Sequence, residues 1–208
     1  MRPTRIRDKK MKKLGFYLVT VALAISAAFT SCNKDKDNGA AGTSVVTTIT
    51  ATVEGAAAYN GKIDEVELIV DGYGVIKTVP YQNGGFTIDL TTVSVPESCM
   101  FNILLSNNPD AKVAEVYIFA GVKDGERVAL FQYRKGFENG SLEGTYGSLF
   151  FSDSDLTFNH SESGESYSLN LKSGWNMIYS TYTTKSGLSN STNAVSGLKW
   201  IVEAYWGD

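Results

Sequence analysis

From Val45 onward, apolar side chains recur at every second position. Val66, Leu68 and Val70 alternate with Glu65, Glu67 and Ile69. Phe86, Ile88 and Leu90 alternate with Thr87 and Asp89. Tyr167, Leu169 and Leu171 alternate with Ser168, Asn170 and Lys172, and Trp200, Val202 and Ala204 with Ile201, Glu203 and Tyr205. Side chains of a strand point to opposite faces in turn, so this pattern describes half-buried strands. The same reading places strands over Val46–Val53, Tyr73–Val79, Met100–Leu105, Val113–Ala120, Arg127–Tyr133, Tyr146–Phe151 and Asn176–Thr183. Turn text separates them: Tyr59-Asn60-Gly61, Asp71-Gly72, Asn83-Gly84-Gly85, Asp124-Gly125, Asn139-Gly140 and Ser173-Gly174. Asn-Gly and Asp-Gly readily adopt the positive φ of tight hairpins. No segment after Val45 carries a helical stripe. The pattern predicts an all-β domain over residues 44–208, an antiparallel β-sandwich of about nine to eleven strands. A barrel is the alternative. A break near Asn107-Asn108-Pro109-Asp110 would instead make two small β domains, and the Ser/Asn/Thr-rich stretch Ser186–Ser196 reads as an exposed loop.

The first 31 residues have a different character. Residues 2–13 are basic, and Leu14 to Ser31 carries no charge. That order is the n-region and h-region of a secretory signal. A membrane anchor is the other reading of the apolar stretch. Thr20, Ser26, Thr30 and Ser31 dilute it, and it stops at Cys32. Met11 would open a more ordinary signal than Met1.

Phe29-Thr30-Ser31-Cys32 resembles the lipobox of bacterial lipoproteins in its relaxed Bacteroidetes form, with Phe29 where Leu usually stands. The resemblance implies cleavage before Cys32, diacylglycerol on its sulfur and an acyl chain such as palmitate on the new amine. Each buried methylene contributes about 0.8 kcal/mol, so two or three chains hold firmly where one barely does. A non-lipidated signal with a chance cysteine is the alternative. Asn33-Lys34-Asp35-Lys36-Asp37-Asn38 resembles the export signal that sends some of these lipoproteins to the outer face of the outer membrane. A periplasm-facing position is the alternative. With Gly39-Ala40-Ala41-Gly42 it forms a flexible acylated tether over residues 32–43. Three pieces of the body, Tyr81–Leu90, Ser152–Thr157 and Leu171–Tyr179 with its Gly174-Trp175-Asn176, are similar to a group of small Bacteroidetes cell-surface lipoproteins of unassigned function. That resemblance implies class and address and adds no site.

Charge narrows the partners. Residues 32–208 keep 12 of the 19 Lys/Arg and 21 of the 22 Asp/Glu, a formal −9. An acidic surface repels phosphate backbones, which argues against nucleic acid. It gives no electrostatic reason to sit on anionic lipid either, so membrane contact falls to the lipid on Cys32. Cys99 is then a lone thiol in an apolar run and reads as a buried, inert small hydrophobe.

The catalytic motifs are incomplete. His160 is the single histidine and reads as a loop or strand-end residue. A Ser–His–Asp triad would depend on it, and the chain has no Gly-x-Ser-x-Gly elbow. One His and one Cys cannot fill a zinc site. Asp153-Ser154-Asp155 opens like a calcium loop, but Thr157 and Phe158 stand where an oxygen ligand and the bend glycine should follow. No metal and no cofactor are expected. Carboxylates are plentiful, and a glycosidase needs only a pair, yet none is singled out. Aromatics crowd the C-terminal third: Trp175, Trp200 and Trp206 with Tyr179, Tyr182 and Tyr205. Trp175 and Trp200 have core spacing. Tyr205 and Trp206 are the candidate ligand-binding aromatics. The expectation is a lipid-anchored, non-enzymatic cell-envelope protein with a structural or binding domain, its ligand a glycan or host surface. A small carboxylate-pair hydrolase and an accessory subunit docked on an outer-membrane complex are the competing classes.

Overall fold

The computed structural model describes residues 45–137 and 141–205, together with the two-residue strand Ile25–Ser26. Cys32, the tether, Asn139-Gly140 and Trp206 lie outside the described residues. The strands are β1 (Ile25–Ser26), β2 (Thr48–Glu54), β3 (Glu65–Val70), β4 (Gly74–Pro80), β5 (Gly85–Asp89), β6 (Phe101–Asn102), β7 (Lys112–Lys123), β8 (Glu126–Gly136), β9 (Gly144–Ser152), β10 (Leu156–Glu162), β11 (Glu165–Leu171), β12 (Gly174–Thr183), β13 (Gly187–Ser191) and β14 (Lys199–Ala204). Among the described residues no helix is long and apolar enough to cross a membrane.

Tight turns make the hairpins. Asp124 and Gly125, at φ 50° and 84°, join β7 to β8, and Ser163 and Gly164, at 49° and 86°, join β10 to β11. Positive φ at both central residues matches the turn to the right-handed twist of the strands. Twelve strands form one large sheet, with path β1-β14-β8-β7-β9-β12-β13-β11-β10 and β3, β4 and β6 branching off it. The early part of β7 pairs with β6 and β9, and its later part with β3 and β8. β3 thus joins the sheet across the break considered at Asn107–Asp110. The other two strands, β2 and β5, make a small second sheet.

The main core lies between the two sheets. Ile49, Ala51, Val53, Phe86 and Ile88 face Leu68, Phe119, Phe131, Tyr133 and Trp200 of the large sheet. Trp200, 1% exposed, is its hub, with ring centroids of Phe86 and Phe119 at 5.1 Å and Tyr133 at 5.6 Å. Trp175 is also in the core, where its indole N–H donates to the Leu90 carbonyl at 3.1 Å. Both tryptophans therefore stand where their alternation places them.

A second cluster lies on the opposite face of the large sheet from the main core. Ala111, Val113, Leu156, Leu169, Leu171 and Ile178 pack together. Val113 is on β7, and Leu156 is on β10, five steps along the path. β11 and β12, which lie between them, contribute Leu169, Leu171 and Ile178 to the same cluster.

The sandwich is all-β as the alternation predicts, with three differences. Strand count rises to fourteen, partly through two-residue pairings. Ser186–Ser196 is not wholly loop, because Gly187–Ser191 forms β13, which pairs with β12 antiparallel and with β11 parallel. Met100–Leu105 is not a strand beyond Phe101–Asn102. Cys99 ends a short 3-10 turn and is half-buried rather than core, its thiol donating to the Pro96 carbonyl at 2.8 Å. Burial pushes that thiol's pKa up, which leaves it a poor nucleophile.

Candidate functional site

The face of the large sheet that carries the second cluster is apolar at the cluster's end and polar toward the other end. Strand register makes the polar part a row. Tyr146 on β9 stands opposite Ser180 on β12, Ser180 opposite Asn190 on β13, Asn190 opposite Tyr167 on β11, and Tyr167 opposite His160 on β10. Directly paired residues share a face, so five strands contribute one line of side chains. Tyr146, Tyr167 and His160 are half-buried, and solvent reaches them.

Local chemistry ties the row together. The Ser180 hydroxyl donates to Asn190 Oδ1 at 2.6 Å and also hydrogen-bonds Tyr146. The Tyr167 hydroxyl donates to Glu165 at 3.1 Å. His160 stacks on Phe158 at 6.0 Å between centroids, and its Nε2 lies 3.4 Å from Glu162. Asn190 Nδ2 is buried with no hydrogen-bond partner among the described residues. A donor left so in the interior is costly unless something accepts from it.

Glu115 sits beside the row on β7, opposite Phe150. It is largely buried, and its pKa is raised to about 7, first by burial and then by the charge of Asp71, against a hydrogen bond from Ser148. Near neutrality its carboxyl is therefore partly protonated and able to donate. Tyr146 is raised by burial, with Glu115 and Glu165 adding to the effect.

The residues singled out in the sequence fall elsewhere or take different roles. His160 lies on β10, two residues before its end, rather than in a loop, as the strand-end alternative had it. Asp153 accepts from the amide of Lys112 at 3.0 Å. Asp155 holds Lys172 at 2.7 Å and the Ser173 amide at 2.8 Å, so both carboxylates brace loops. Among the described residues no group of three or more His, Cys, Asp or Glu could hold a metal ion. Tyr205 is half-buried beyond β14, its amide donating to Val128, with β8 between β14 and β9, the first strand of the row. A shallow depression of about 360 Å³ on β2 and β5 is lined by Thr50, Thr52, Gln82, Asn83 and Thr87 and by no charged group. It offers hydroxyls and amides but no exposed ring, and we regard the row as the better candidate.

Sequence reading missed Glu115, Tyr146, Tyr167, Ser180 and Asn190. Two signals were there. Glu115 is a lone acid in the apolar run Val113-Ala114-Glu115-Val116, and Ser180 interrupts a strand buried on both faces. No family model matches the chain, and no curated protein or solved structure is significantly similar to it.

Proposed function

We propose that this is a lipid-anchored cell-envelope protein, held by acyl chains on Cys32, whose β domain binds a neutral polar ligand of the glycan class along the row from Tyr146 to His160 and is not an enzyme. The observation that carries the ligand is the row itself. Two half-buried tyrosine rings offer faces for the C–H surface of a sugar, with the Ser180, Asn190 and His160 side chains on the same face. Glu115 adds a carboxyl that can donate as well as accept near neutral pH.

The carboxylate-pair hydrolase is the second reading. It is favoured by one observation, that the Asp71 charge acts on the raised Glu115. A raised acid beside a second carboxylate is the arrangement of a general acid. One experiment separates the two. A glycan array is probed with the protein and with its Tyr167→Ala and Glu115→Gln variants, and hits are incubated and assayed for new reducing ends. The binding reading expects a hit lost in Tyr167→Ala and no release. Release that disappears in Glu115→Gln would favour the hydrolase, and a blank array sets the glycan aside.

A further inference from the structure

The alternation assigns Met100–Leu105 to a strand, yet the chain leaves the sheet after Asn102. Ile103 packs against the second cluster. Phe101, Leu104 and Leu105 are 50%, 76% and 74% exposed. Adjacent leucines held this far into water at a loop tip mark a contact surface rather than core.

Hydrogen bonds fix where that tip lies. The Asn107 amide donates to the Thr157 carbonyl, and Asn108 donates to Ser154 and to the Asp155 carbonyl. Asp155 accepts from the Ser173 amide, and two residues on the Trp175 carbonyl accepts from the Val46 amide at 2.7 Å. The leucine loop and the point where the chain enters the domain therefore share one end of the sandwich. Residues 32–44 precede that point and span at most about 45 Å fully extended. A lipid on Cys32 thus keeps this end within about 45 Å of the bilayer. Of its acids, Asp155 pairs with Lys172 and Glu97 with Lys112, Asp153 accepts backbone and hydroxyl hydrogen bonds, and the exposed Asp110 gives this end no attraction for anionic lipid. Such an end suits a zwitterionic lipid surface.

We propose that the Phe101–Leu105 loop inserts into the interfacial layer of the bilayer that carries the lipidated Cys32, as a second contact that sets the orientation of the domain. This rests on the lipid-anchor reading. The test uses the mature lipoprotein reconstituted in phosphatidylethanolamine–phosphatidylcholine vesicles. Cys99→Ser, which keeps a donor toward Pro96, clears the background thiol. An environment-sensitive fluorophore is attached at Leu104→Cys or at Glu126→Cys, the latter beyond the opposite end of β7. Spin-labelled lipids should quench the label at 104 and leave the label at 126 bright, and adding Leu105→Asp should abolish the quenching while the protein still floats with the vesicles. A label at 104 as bright as that at 126, on protein that floats with the vesicles, overturns the insertion and leaves the anchor standing. Protein that does not float with the vesicles overturns both.

Discussion

Glu115→Gln should stabilise the domain above neutral pH and flatten part of its pH dependence. The carboxyl titrates near 4.5 when the chain is unfolded and at about 7 when folded. Between those values the unfolded state has released the proton and the folded state still holds it. Stability from this group is therefore whole below pH 4.5, falls as pH rises and is fully lost above pH 7. A difference of about 2.5 units at 1.36 kcal/mol each amounts to about 3 kcal/mol. Glutamine keeps the shape and a hydrogen-bonding partner for Ser148 but cannot ionise. Urea denaturation of both proteins at pH 5 and pH 8 gives the number directly. Relative to Glu115→Gln, wild type should lose most of those 3 kcal/mol between the two pH values. An equal change in both proteins would refute the burial argument for Glu115 and with it the account of its surroundings as low-dielectric.

Three further outcomes follow from the packing. Trp200→Ala empties the hub between Phe86, Phe119 and Tyr133. It should cost about 3–5 kcal/mol in urea, and a loss under 1 kcal/mol would contradict the placement. Gly85→Ala would set a Cβ 2.0 Å from the Ala51 carbonyl oxygen across the β2–β5 pair. Thermal unfolding should show a destabilisation of about 3 kcal/mol, and an unchanged midpoint would mean the strands are not so close. Removal of the leader takes away β1, whose two described residues pair with Trp200 and Lys199. Residues 32–208 should still unfold in one cooperative transition, with Lys199 guarding the opened edge of β14; a broad, non-cooperative melt would show that β1 is needed.

Local features were legible and long-range ones were not. Alternation placed β3, β5, β11 and β14, and it put Trp175 and Trp200 inside. Asp124-Gly125 announced its hairpin, whereas Ser163-Gly164 makes the same turn with a residue less given to positive φ and went unread. Gly187–Ser191 reads as loop because Ser and Asn carry no apolar alternation. It becomes β13 because two neighbours pair with it and Asn190 meets Ser180. Met100–Leu105 is apolar enough for a strand, but only Phe101 and Asn102 pair with β7, and the rest turns outward. The row from Tyr146 to His160 depends on the mutual register of five strands. No single window of sequence holds that information, so the candidate site emerges only with the pairing.

The account stands or falls on Cys32. Mass spectrometry of the N-terminal peptide from membrane-purified protein tests it directly. The account predicts a chain beginning at Cys32 with diacylglycerol on the sulfur, and its absence, with the leader left uncleaved, in Cys32→Ala. An N-terminus elsewhere, or an unmodified Cys32 on protein that stays in the membrane, would contradict it.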